Sequence, residues 1–168
     1  MLIKIVGAFL IFSSCTFLGM KKSRELFKRE KYLLNIKTAL KMLEGEISFS
    51  SNYLKSAFLN IWRVSETGNL FYDAAILLEE KNAQISWTEA VLKNKKRLYL
   101  KDKDVEVLSI LSSGLGMSDV SQQTKNIKHN ISLLDVCIKE AKKEYDDSSK
   151  LYRSMGILVG IFFVILLI

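Results

Sequence analysis

Apolar residues gather at the two ends of the chain and recur at helical spacing in between. Residues 5 to 20, IVGAFLIFSSCTFLGM, carry no charge, and with the four residues before them they form a 20-residue stretch broken only by Lys4. At about 1.5 Å per residue such a helix reaches roughly 30 Å, one bilayer hydrocarbon thickness. At the other end Met155 to Ile168 is an uninterrupted apolar run of 14 residues. It covers only about 21 Å as a helix, but Lys150 and Arg153 have side chains long enough to snorkel from a start near Leu151. Both ends are predicted to span a membrane, which divides the chain into a span at 1–20, a soluble body at 21–153 and a span at 154–168.

Within the body, Leu33, Ile36, Leu40, Leu43 and Ile47 step by three and four, one stripe on a helix of about 25 residues beginning near Ser23. A polar break over Ser48 to Asn52 precedes a second helix marked by Leu54, Ala57, Phe58, Ile61 and Trp62 and ended by Thr67-Gly68-Asn69. Phe71, Ala74, Ala75 and Leu78 mark a third. Ser86-Trp87-Thr88-Glu89 has the form of a capping box opening a fourth, through Ala90, Val91 and Leu98. A short fifth runs from about Asp102 to Leu111, with Val105, Leu108 and Leu111 inward. After the loop Ser112 to Gly116, positions Val120, Thr124, Ile127, Ile131, Leu134, Ile138, Ala141, Tyr145, Ser148 and Tyr152 alternate steps of four and three. This heptad seam runs straight into the apolar tail, so one helix from about Asp119 to Ile168, roughly 75 Å long, is predicted. No segment has strand periodicity. The expected fold is all-α, a helical bundle between N- and C-terminal transmembrane helices.

The chain has 168 residues, no Pro, two Cys and one His, with 25 Lys and Arg against 18 Asp and Glu, a net charge of +7. That length suits a single small domain. Two Cys and one His are too few for a four-ligand structural zinc site, and Cys15 and Cys137 both sit in helical contexts, which excludes a disulfide scaffold. The positive balance is local: residues 21–37 hold seven basic and two acidic residues, residues 38–153 hold 17 and 16. Lys21, Lys22, Arg24, Lys28, Arg29 and Lys31 follow the first span, where positive charge is retained in the cytoplasm and meets anionic lipid headgroups. Lys142, Lys143, Lys150 and Arg153 place the start of the second span on the same side. The body is therefore expected at the cytoplasmic face of a cell membrane. A nucleic-acid partner is not expected, since such a face needs basic residues spread over a folded surface. Lys93, Lys95, Lys96 and Arg97 form a second basic patch, read as a solvated helix face. Phe12-Ser13-Ser14-Cys15 is a degenerate lipoprotein cleavage box, disfavoured because the apolar run continues past Cys15.

Candidate chemistry is sparse. His129 lies off the seam without a Cys or carboxylate at ligand spacing, no Ser has a positioned His and Asp, and Gly114-Leu115-Gly116 lacks the rest of a phosphate loop. No catalytic residue, metal or cofactor is assigned, and the protein is expected not to be an enzyme. Trp62 and Trp87 fall on apolar stripes and read as core. Glu44 and Glu46 flank the Leu43/Ile47 stripe, placed to stay solvated or meet a basic partner. Asp119 starts the long helix, where a carboxylate caps amides. Gly156 and Gly160 form a small-xxx-small face that admits another helix closely.

Three segments carry a family resemblance. Leu43-Glu44-Gly45-Glu46-Ile47 is like a Leu-Glu-x-Glu-Ile pattern. Leu115-Gly116-Met117-Ser118-Asp119, with Gln123 four residues on, is like Leu-Gly-x-x-Asp-x-x-x-Gln. Ser154 to Gly160 followed by Val164-Ile165-Leu166-Leu167 is similar to a C-terminal membrane tail. In this order, between two apolar ends, they resemble the stage III sporulation protein AB (SpoIIIAB) family of endospore-forming bacteria over essentially the whole chain. Two departures stand out: Asn52-Tyr53 replaces a Thr-Pro, with Asn52 still suited to cap the second helix, and Ser112 replaces a Gly. The resemblance implies a helical domain similar to one in the type II secretion F protein, in the mother-cell membrane around the forespore. It implies as partners the other proteins of the stage III sporulation A operon, including the AA ATPase, in a secretion-like channel complex. Glu44, Glu46, Asp119 and Gln123 are expected to be structural or contact residues. Gly156 and Gly160 are expected to pack in the membrane, where a second copy of the chain is one candidate neighbour. A membrane-tethered helical signalling adaptor is the alternative reading.

Overall fold

The computed structural model describes residues 2–50, 53–116 and 119–167. Asn52 and the motif residues Met117 and Ser118 lie outside the described residues. Among the described residues six helices follow one another, α1 (Leu2–Ser50), α2 (Leu54–Val64), α3 (Leu70–Leu77), α4 (Ala83–Asn94), α5 (Asp102–Ile110) and α6 (Val120–Leu167), with a 3-10 turn over Leu111–Gly114. Among the described residues there is no strand. The first apolar segment and the first body helix, expected as two elements, are one helix. No Pro interrupts, and the residues after Met20 are mostly Lys, Arg, Glu and Leu, which propagate helix well.

The chain divides into two compact units. One comprises Arg29–Lys139. The stripe predicted on α1 is its spine: Leu33, Ile36, Leu40 and Leu43 have no exposed surface and Ile47 is buried, with Ala39 buried beside them. Phe58 of α2, Phe71 of α3 and Trp87 of α4 form a buried aromatic cluster with ring centroids 5.4–5.7 Å apart. Ile127, Leu134, Cys137 and Ile138 of α6 complete the core. Of the predicted seam, Val120 alone is exposed within this unit, because it is the first residue of its helix.

The last four carbonyls of a helix have no partner within it. Those of α5 are met one by one by side chains. Asn130 Nδ2 donates to Val107 O (2.5 Å), Trp87 Nε1 to Leu108 O (2.7 Å), Ser112 Oγ to Ser109 O (2.7 Å) and Ser113 Oγ to Ile110 O (2.9 Å). Ser112, the residue standing where the family pattern has Gly, thus has a structural task that Gly lacks a side chain to perform. Among the described residues three charged side chains are buried with partners in place: Arg29 against Asp104, and Asp73, which accepts from Lys93 Nζ (2.8 Å) and Asn94 Nδ2 (2.7 Å).

Two local expectations are corrected. Ser86 is buried inside α4 and does not cap it; the helix starts one turn earlier at Ala83, and Asn82 Oδ1 accepts from Ile85 N at 2.9 Å. The Glu89 carboxylate instead bonds Lys81 Nζ, at 2.6 and 2.8 Å. Trp62 is 37% exposed, its ring 4.9 Å from that of Tyr72, because α2 is a surface helix whose buried stripe is Ala57, Phe58 and Ile61.

The turn after α4 is unusual. Leu100 N bonds Lys95 O (2.9 Å) and Tyr99 N bonds Lys96 O (3.3 Å), the two hydrogen bonds of a Schellman motif. The residue in the left-handed conformation is Tyr99, at φ 56°, a place Gly ordinarily takes. Its ring stacks on Tyr32 of α1, centroids 6.4 Å apart and planes 15° apart.

The second unit comprises Met1–Lys28 and Glu140–Ile168. Here α1 and α6 approach through glycines. A Cβ on Gly156 would fall 2.9 Å from Cys15 O and 3.3 Å from Gly19 Cα, and one on Gly160 would fall 2.9 Å from the Phe12 ring. The small-xxx-small face is thus filled by the chain's own first helix. Phe27 and Tyr145 rings meet at 5.6 Å nearer the charged segments. Outward-facing apolar side chains include Phe9, Leu10, Phe17 and Leu18 on α1, and Leu158, Phe162 and Ile165 on α6. By length and composition α6 is able to cross a membrane. Gly156→Leu should destabilise the pairing by about 1–3 kcal/mol, since backbone atoms cannot yield to the new side chain. The check is the thermal midpoint in detergent; an unchanged midpoint would mean that the two helices do not pack here.

Candidate docking site at the motif end of the bundle

Leu43 and Ile47, one helical turn apart, are both buried, which pins the end of α1 and leaves the intervening Glu44, Gly45 and Glu46 half-exposed. Gly45 faces open space, with nothing within 4 Å of a Cβ placed on it. Beside this turn an open groove of about 530 Å³ is lined by Lys41, Glu44, Gly45 and Ser48 of α1 and by Lys128, Ile131 and Ser132 of α6. Glu44 Oε1 lies 3.5 Å from Lys128 Nζ across it, and the hydroxyls of Ser48 and Thr124 are 3.3 Å apart at its end. The groove therefore presents two ammonium groups, one carboxylate and two hydroxyls, suited to a polar protein surface carrying both signs of charge.

Asp119 and Gln123 belong to the same end. Asp119 caps α6, its Oδ1 accepting from Gln122 N (2.7 Å) and its carbonyl from Gln123 N (2.9 Å). Gln123 precedes Thr124, the residue that meets Ser48, so the two motif segments converge although 72 positions separate Ile47 from Asp119. Asp119→Ala should cost about 1 kcal/mol in chemical unfolding, with Asp119→Asn close to the parent because Asn caps as well. Normal stability in Asp119→Ala would remove the capping role. Among the described residues no group of three His, Cys, Asp or Glu side chains is placed to hold a metal ion.

The basic residues after the first apolar segment are not alike. Lys21, Lys22, Arg24 and Lys28 are exposed, with Lys22 3.6 Å from Glu25. Lys31 bonds Glu66 at 2.9 Å, which raises the Lys31 pKa and lowers that of Glu66. Arg29 departs from its expected headgroup role: it is buried and bound through two nitrogens to Asp104, so its guanidinium is not presented to lipid. Sequence reading also passed over Lys41 and Lys128. Lys128 is an ordinary surface lysine until the fold sets it 3.5 Å from Glu44, and Lys41 until α6 closes the other side of the groove that it lines.

A family model described as stage III sporulation protein AB matches residues 4–168. The chain belongs to this family. Stage III sporulation protein AB of Bacillus subtilis (strain 168) is 26% identical over 170 residues, covering 99% of each chain. A solved structure of SpoIIIAB superimposes with a TM-score of 0.64 at 25% identity, covering 70% of this chain and 96% of that one. The expected resemblance and the all-helical fold both hold, and the chain is a sporulation protein of stage III.

Proposed function

We propose that the chain is a non-enzymatic platform component of a sporulation-specific, secretion-like channel complex, anchored in the mother-cell membrane. In this reading both apolar ends span the bilayer as a hairpin, and the helical body faces the cytoplasm and offers the motif end to a partner ATPase. The observation that carries it is the pairing of family membership with the packed apolar pair of α1 and α6, whose outward faces are Phe and Leu. In water such a belt would aggregate; in lipid it is solvated. The basic segment from Lys21 to Lys28 is the expected inner-leaflet flank. Other stage III proteins are the expected neighbours.

Site-specific crosslinking from Glu44→Cys in sporulating cells tests this. Capture of an ATPase and of membrane neighbours is expected; capture of a soluble signalling domain instead would mark a tethered adaptor. Labelling of Lys95→Cys by an impermeant thiol reagent in intact cells would reverse the assigned orientation.

A further inference from the structure

Of the four glycines in the Arg29–Lys139 unit, the chain's own fold accounts for three. Gly68 and Gly116 take left-handed backbone, at φ 62° and 75°, and the Asn126 side chain lies against Gly114 where a Cβ would be. Gly45 has neither reason. It sits inside α1, where Gly is the least favourable residue after Pro, and a Cβ there would meet nothing within 4 Å. It is also the centre of a seam. Leu34, Thr38, Lys41, Gly45 and Ser48 step by four and three along the side of α1 away from its buried stripe, about 21 Å from end to end, and none of them is buried. Such spacing is the signature of a helix packed against another helix, and here the seam stays open. The pairs Lys37 with Asp135, Glu44 with Lys128 and Ser48 with Thr124 set α6 antiparallel beside it, so the groove is a valley between two aligned helices. Charge gives the sign of what fits. Lys37, Lys41 and Lys128 border the valley against two carboxylates, Asp135 and Glu44, each already paired. Lys41 is exposed, with no ion pair or hydrogen bond among the described residues.

We infer that the valley takes an acidic amphipathic helix of a partner protein, its backbone drawn close over Gly45 and a carboxylate set against Lys41. This narrows the docking reading above and rests on it. A helix is favoured over an extended segment because the open seam repeats at three and four, the spacing that interlocks with another helix at about 8–10 Å between axes, whereas a strand presents its side chains at period two. A residue without a side chain at the centre of the contact allows the shorter of these distances. An acidic partner is favoured because both carboxylates of the valley are taken and one ammonium group is left over.

The test places the photoreactive residue benzoylphenylalanine at Thr38 or at Ser48 of the full chain in sporulating cells, and maps each crosslink on the captured protein by mass spectrometry. The two positions are ten residues apart on α1, about 15 Å. The captured sites should lie about ten residues apart in one partner helix, beside acidic residues; an extended segment would put them about four or five apart and overturn the inference. Gly45→Gln should cut the yield roughly tenfold by filling the space over α1, while the thermal midpoint of the purified chain in detergent holds or rises, since Gln is the better helix former. Lys41→Glu should lose the crosslink and Lys41→Arg should keep it. An unchanged yield in Gly45→Gln, or sites that fall on a second copy of this chain, would overturn the inference. A lower midpoint in Gly45→Gln would do the same, by giving Gly45 a role inside the fold. If neither position crosslinks while Glu44→Cys still captures its neighbours, helix docking fails and the platform reading stands; if Glu44→Cys captures nothing either, both fall.

Discussion

Asp104→Ala is expected to destabilise the Arg29–Lys139 unit by about 3–5 kcal/mol. The Asp104 side chain has no exposed surface and that of Arg29 is 5% exposed. Its carboxylate accepts from Arg29 Nε at 2.8 Å and Nη2 at 2.9 Å, and one of its oxygens also accepts from Lys101 N at 2.8 Å. Removing it leaves a guanidinium that cannot lose its proton in a site with little water, and leaves the Lys101 amide at the start of α5 without that partner. Asp104→Asn should fall between, retaining an acceptor for the amide and losing the charge. The double variant Arg29→Met/Asp104→Leu should recover most of the loss, because a buried pair draws its apparent strength from the cost of isolating one member. Chemical unfolding in detergent, followed by the buried Trp87, measures all three. A loss under 1 kcal/mol for Asp104→Ala would show that water reaches the pair.

This pair also marks where sequence reading stopped. Periodicity found the α1 stripe, the α5 face and the α6 seam because each repeats locally, and a buried stripe leaves its spacing in the sequence whatever lies opposite. Arg29 and Asp104 are 75 positions apart and carry no such imprint. In the sequence Arg29 is one of six basic residues beside an apolar run, and only the placement of α5 distinguishes it. The same holds for Trp62 and Trp87. Both fall on apolar stripes, but Trp87 lies on the buried face of α4 with Ala90 and Val91, whereas Trp62 lies beside the buried stripe of α2, a difference set by which faces the other helices cover. The false capping box arose because Asn82 and Ser86 both precede helical residues, and the helix took the earlier start. For the candidate site, both motif segments were legible as strings, while their convergence depended on α1 and α6 running side by side.

Trp87→Ala should match or exceed the cost of breaking the ion pair in the same unit, at about 3–5 kcal/mol. Trp87 is fully buried and touches two other aromatic rings, Phe58 at 5.7 Å and Phe71 at 5.4 Å between centroids. Truncation opens a cavity among side chains already held by α2 and α3, which limits collapse. It also removes the donor to Leu108 O, one of the four terminal carbonyls of α5 that side chains satisfy. Trp87→Phe separates the two losses: it keeps an aromatic ring in the cluster and removes the donor, so about 1–3 kcal/mol is expected from the unsatisfied carbonyl. Because that carbonyl sits one residue from the one bound by Asn130 of α6, the weakened end of α5 should be visible at a distance. Amide exchange in the Leu111–Gly114 turn and in the first turns of α6 should quicken in Trp87→Phe while α2 stays protected. If exchange quickened uniformly instead, the carbonyl-by-carbonyl anchoring of α5 would have no local effect, and Trp87 would matter only through the volume it fills.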